Sequence, residues 1–190
     1  MFSRTKRTQS GISLVELIIF IVIISVGLAG IMATYTTVVR GSADPMVRKQ
    51  ALAIAESLLL EIEQQALTWC DPQDANLLTA TSAAACAVAA NNQDNVGGPT
   101  PNTELRGNST NPFDNVADYG GFAAAASDIL GSNAVAGYAV SVVITRAGAA
   151  APFAALPLNA VLRIAVTVTG RGETVTLVGY RTRYAPNAAG

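Results

Sequence analysis

Histidine is absent from all 190 residues. That removes the commonest general base and the commonest zinc ligand, and with them any Ser/His/Asp triad. Cysteine is scarce: Cys70 and Cys86 are too few for a structural metal site, and none is expected. Charge is sparse as well, at 13% of residues with a net value of −1. Such a chain lacks the basic footprint of a nucleic-acid binder, so no nucleic acid is expected as a partner. No pair of carboxylates stands in a recognisable catalytic context, and the chain therefore reads as non-enzymatic, with no cofactor.

Apolar residues, by contrast, make up 51% of the chain, which suggests a membrane segment joined to a soluble remainder. Residues 1–11, MFSRTKRTQSG, are short, polar and basic. Without Arg4, Lys6 and Arg7, nine basic residues face 13 acidic ones, a net charge of −4. A mildly acidic exported part argues against phosphate or anionic-lipid partners. From Ile12 to Ala33 the sequence turns apolar, ISLVELIIFIVIISVGLAGIMA. As a helix this run spans about 30 Å, enough to cross a bilayer. The positive-inside rule leaves Arg4, Lys6 and Arg7 in the cytoplasm and everything after Ala33 outside.

A secretory signal peptide has similar flanks, but its apolar region is shorter. Here no A-x-A follows until Ala51-Leu52-Ala53, inside a helical pattern. A plain signal anchor fits the length and flanks equally well. Glu16 separates these readings, because it is the only charged residue between Arg7 and Arg40. A carboxylate in that run costs a few kcal/mol unless it is paired or snorkels to the interface. A simple anchor gains nothing by keeping it; a charge supplied by another chain would explain it.

Residues 11–18, Gly11-Ile12-Ser13-Leu14-Val15-Glu16-Leu17-Ile18, resemble the type IV prepilin motif: a glycine, a hydrophobic residue, then glutamate at the fifth position after the cut. The basic leader and the apolar helix match too. The resemblance implies cleavage after Gly11 by a membrane-embedded prepilin peptidase and N-methylation of Ile12. It also implies that the new amine of one subunit meets Glu16 of a neighbour during assembly, and a buried carboxylate is tolerable when so paired. Ile12 stands where the family usually has Phe, and Ser13 where it usually has Thr. The expected partners are other pilin subunits, the peptidase, the inner-membrane assembly platform and the membrane itself. The implied location is the inner membrane, single-pass with a periplasmic head, and then the pilus at the cell surface.

The chain accordingly divides into a cleaved leader (1–11), a transmembrane and assembly helix (12–33), its periplasmic continuation (34–67) and a head (68–190). Residues 46–67 contain no Gly or Pro. Val47, Ala51, Ile54, Ala55, Leu58, Ile62 and Ala66 share one side, opposite a polar stripe of Lys49, Gln50, Glu56, Ser57, Glu63 and Gln64. Asp44-Pro45 reads as an N-cap and N1 pair or as a kink in one long helix, with Gly27 and Gly30 as further weak points.

Residues 68–136 lack sustained periodicity and read as loops, beginning with the helix-ending Trp69-Cys70-Asp71-Pro72. If this region is exported, a Cys70–Cys86 disulfide is the better reading. It would close a loop of about 15 residues and stabilise by roughly 3 kcal/mol in the chain-entropy model. Free thiols are the alternative, since spacing alone does not fix pairing. The acids and asparagines of residues 111–119 raise the thought of calcium, but EF-hand spacing is absent and turn chemistry explains them better.

Strands are expected at Gly137–Arg146, Val161–Thr169 and Glu173–Tyr184, with Gly170-Arg171-Gly172 as a hairpin connection. The fold class is α+β: a long N-terminal helix, half membrane-spanning and half amphipathic, whose second half packs on a small antiparallel sheet. Residues 47–56, Trp-Cys-Asp-Pro and Asn-Pro-Phe-Asp-Asn resemble minor pilins of the PilV or mannose-sensitive haemagglutinin (MshD-like) kind. Three roles are implied: a subunit that primes assembly or caps the tip, a type II secretion pseudopilin, or a tip adhesin.

Overall fold

The computed structural model describes residues 11–188. Arg4, Lys6 and Arg7 lie outside the described residues. Helix α1 runs from Leu14 to Gln64, 51 residues, with Pro45 inside it. A proline there cannot donate to the carbonyl four residues earlier, a local weakness in the hydrogen-bond ladder. The chain divides between Pro45 and Met46 into two compact units.

In the first unit, every described side chain from Ile12 to Val39 is exposed, and Leu14–Val39 is apolar enough to cross a membrane, with a mean hydropathy of 2.8. Its hydroxyls bond the helix's own backbone. Ser25 Oγ donates to the Ile21 carbonyl, Thr34 to that of Gly30, and Thr37 to that of Ala33. Polar groups satisfied internally in this way can enter hydrocarbon.

In the second unit, the amphipathic stripe falls where the sequence puts it. Ala51, Ala55, Leu58 and Ile62 are buried, Val47 and Ile54 pack at the edge of the core, and Lys49, Gln50, Glu56, Ser57 and Gln64 face solvent. The helix stops at Gln64, three residues short of the expected end. Ala66 instead forms a parallel bridge with Asn115, its carbonyl taking the Val116 N–H at 2.9 Å.

Against this helix stands a four-stranded antiparallel sheet in the order β1-β2-β3-β4. The strands are β1 (Ala123–Ala125), β2 (Tyr138–Arg146), β3 (Val161–Gly170) and β4 (Glu173–Thr182). Alternation sets the register. Tyr138, Val140, Val142 and Ile144 of β2 point into the same core as Leu162, Ile164, Val166 and Val168 of β3. Val140 pairs with Val168 and Val142 with Val166, so the apolar faces coincide across the ladder. The β3–β4 turn has two residues, Arg171 (φ 52°) and Gly172 (φ 87°). Two consecutive positive φ values mark the turn whose twist suits a hairpin.

The irregular region between α1 and β2 is tied down by polar groups. Cys70 and Cys86 form a disulfide with Cα atoms 5.5 Å apart. Asn115 and Asp118 make a reciprocal capping box around the short 3-10 helix Val116–Tyr119. The buried Asn115 amide also donates to Thr68 Oγ1 at 2.7 Å. Glu61 of α1 takes both nitrogens of a two-pronged bond from Arg106, at 2.7 and 2.6 Å, and a third bond from the Tyr119 hydroxyl at 2.8 Å. The tail closes the other side. Trp69 donates its N–H to the Pro186 carbonyl, and the Asn187 amide donates to the carbonyls of Leu77 and Ala80. The Arg183 guanidinium carbon lies over the Trp69 ring, 4.1 Å from its centre.

Candidate functional site

The sequence's candidate residues fall into two places. Gly11, Ile12 and Glu16 belong to the first unit, Cys70 and Cys86 to the second. Gly11, Ile12 and Ser13 precede the helix in non-helical backbone. Ile12 is 76% exposed, and nothing lies within 4 Å of the space beside the Gly11 Cα. Among the described residues, then, nothing crowds Gly11, and the Gly11–Ile12 bond lies outside the helix. Helix then begins at once, with the Leu17 N–H bonding the Ser13 carbonyl at 3.1 Å.

Glu16 sits in the first turn of α1. A carboxylate there meets the positive end of the helix dipole, which favours it by about 0.3–1 kcal/mol. That is less than the few kcal/mol an unpaired carboxylate costs at hydrocarbon depth. Among the described residues no ion pair reaches Glu16. From Leu17 to Val39 every described side chain of this apolar run is exposed. A helix of that kind belongs in lipid or against other apolar helices.

Residues 6–32 match the prokaryotic N-terminal methylation motif. The match spans the end of the leader, the Gly11–Ile12 junction, Glu16 and most of the apolar run. It supports a prepilin-type, type IV pilin-like chain, a class of structural rather than enzymatic proteins, anchored in a membrane by one helix. No curated protein and no solved structure matches the chain.

In the head, residues 111–119 are largely the turn device that composition suggests. Asp118 accepts the N–H groups of Asn115 and Thr100, and Asn115 accepts that of Ala117. Burial pushes Asp118 up to about 7, against these hydrogen bonds, which pull it down. Asp114 is different. It meets Glu104, from the loop just before it, and Asp71, from a much earlier segment, and no spacing rule links the three. The Glu61–Arg106–Tyr119 cluster also escapes sequence reasoning, because Glu61 lies between the apolar and polar stripes and its partners come from loops.

Proposed function

We propose that the chain is a minor type IV pilin-like structural subunit that primes a filament or caps its tip. On this reading prepilin peptidase cuts between Gly11 and Ile12, methylates Ile12, and an inner-membrane platform builds the product among other pilin subunits. The observation that carries the reading is Glu16: a carboxylate in the first turn of an exposed apolar helix, within the matched motif and five residues after Gly11. Cleavage creates an α-ammonium at Ile12. In hydrocarbon that cation and the Glu16 carboxylate of a neighbouring chain each relieve the other's desolvation cost, so the pair draws subunits into register. The disulfide of the head suits an oxidising periplasm, where the head waits before assembly.

Intact mass and N-terminal sequencing of the chain recovered from envelopes of peptidase-bearing cells test this. The expected product starts at Ile12 and is heavier by one methyl group. An uncut terminus, or a cut beyond the apolar run, overturns the reading. Recovery of the processed chain from sheared surface filaments supports a pilus; its confinement to the envelope alongside a secretion channel would make it a pseudopilin.

A further inference from the structure

Three carboxylates from distant parts of the chain converge in the head. Asp71 follows the disulfide-bonded Cys70, Glu104 lies in the middle loop, and Asp114 immediately precedes the Asn115 cap. Each offers an oxygen within 4.8 Å of those of the other two. Asp71 is 1% and Glu104 3% exposed, and Asp114 is half-buried. Gln73 satisfies one side of the group: its backbone N–H donates to Asp71 Oδ1 and its side-chain amide to Asp114 Oδ2, each at 2.7 Å. The remaining oxygens, Asp71 Oδ2, Glu104 Oε2 and Asp114 Oδ1, are buried and have no hydrogen-bond partner. A buried acceptor left unpaired costs about 1–3 kcal/mol, and more when charged. The three carboxylates lie close enough together for one shared partner to serve them.

We propose that Asp71, Glu104 and Asp114 are the protein ligands of one calcium ion that locks the loop region of the head. The donor set is all hard oxygen, and the chain has no histidine and no free thiol to attract a softer metal. Calcium–oxygen bonds of about 2.3–2.6 Å place opposite ligands about 4.6–5.2 Å apart, a separation these oxygens can accommodate. Magnesium needs shorter bonds, near-ideal octahedral geometry and several retained waters, and suits two nearly dry carboxylates less well. A proton is the competing partner, but one proton bridges two carboxylates and leaves the third unsatisfied. The ligands are also pre-positioned. The disulfide and the Asn91 carbonyl, which takes the Asp71 N–H at 2.8 Å, fix the first; the capping box beside Asp114 fixes the third.

The test uses the full processed chain in non-ionic detergent, stripped with a chelator and titrated with calcium chloride or magnesium chloride. Calorimetry should show one calcium per chain with a Kd of about 10⁻⁴ M or tighter, and magnesium at least roughly tenfold weaker. The unfolding midpoint of the head should rise by roughly 5 °C in saturating calcium. Glu104→Gln should weaken calcium binding at least roughly tenfold and remove most of the calcium-dependent rise in the midpoint. A merely structural Glu104 would lower the metal-free midpoint and leave the calcium affinity of the folded chain unchanged. Should that variant fail to fold, Asp114→Asn, at the half-exposed edge of the cluster, carries the same affinity test. No heat and no midpoint shift at about 10 mM calcium chloride, well above the range of weak extracellular sites, would overturn the site in favour of shared protons. So would an unchanged calcium response in both variants.

Discussion

A carboxylate in an apolar helix is stable in lipid only beside a positive charge or at the water boundary, and on the proposed reading the freed Ile12 amine of a neighbouring chain supplies that charge to Glu16. Glu16→Ala should leave cleavage after Gly11 intact while cutting the amount of subunit in sheared filaments by roughly tenfold, the equivalent of about 1.4 kcal/mol. Immunoblots of membranes and filaments measure both, and normal incorporation of the variant would sink the pairing. Asp74 is a residue-scale device of another kind. Burial raises its pKa, but the N–H groups of Ala87, Asn76 and Val88 and the Asn91 amide outweigh that and hold it below the usual carboxylate range. A carboxyl depressed in the fold adds stability above its unfolded pKa and loses it as pH falls through the folded value. Asp74→Asn should therefore cost about 1 kcal/mol at pH 7 and have progressively less effect as the solution is acidified below about pH 4. Urea melts of both chains at several pH values check this. Glu16 is legible in the sequence because it stands alone in an apolar run; Asp74 and Glu104 are not, because the groups that define them arrive from other loops.

Among the elements, the second half of α1 is the most legible, since a 3.6-residue stripe of Ala51, Ala55, Leu58 and Ile62 has one way to be buried. Ile62, fully buried, should cost about 2–5 kcal/mol on substitution by Ala. Leu60, half exposed on the outer side, should cost under about 0.5 kcal/mol, and thermal melts of the pair test the face assignment directly. Strands β2, β3 and β4 are equally plain, because β-branched residues alternate with polar ones between turn signals. Strand β1 is invisible to the same reasoning. Its three residues are all exposed alanines, and its strand character comes wholly from pairing with Ala139–Ser141 on the edge of β2. The end of α1 is similarly hidden. No glycine marks it; the Ala66 carbonyl is simply taken by Val116 from a distant loop.

At the scale of the molecule, the head is an orderly helix-and-sheet core with a long irregular region fastened to it by side chains rather than by regular backbone ladders. The disulfide is one fastening. Replacing Cys70 and Cys86 together by serine should lower the stability of the head by roughly 3 kcal/mol in the chain-entropy model, read as a lower unfolding midpoint. In unreduced, denatured protein neither cysteine should take up a thiol-reactive probe, and labelling of both would remove the bond from consideration. The fastenings differ greatly in reach. The disulfide joins residues 16 apart, whereas the Asn187 amide reaches back 110 and 107 residues to Leu77 and Ala80. A chain made from its N-terminus therefore meets these closures at very different moments. Both cysteines are made before any of the strands, but the tail cannot bolt the loops until β4 has been made.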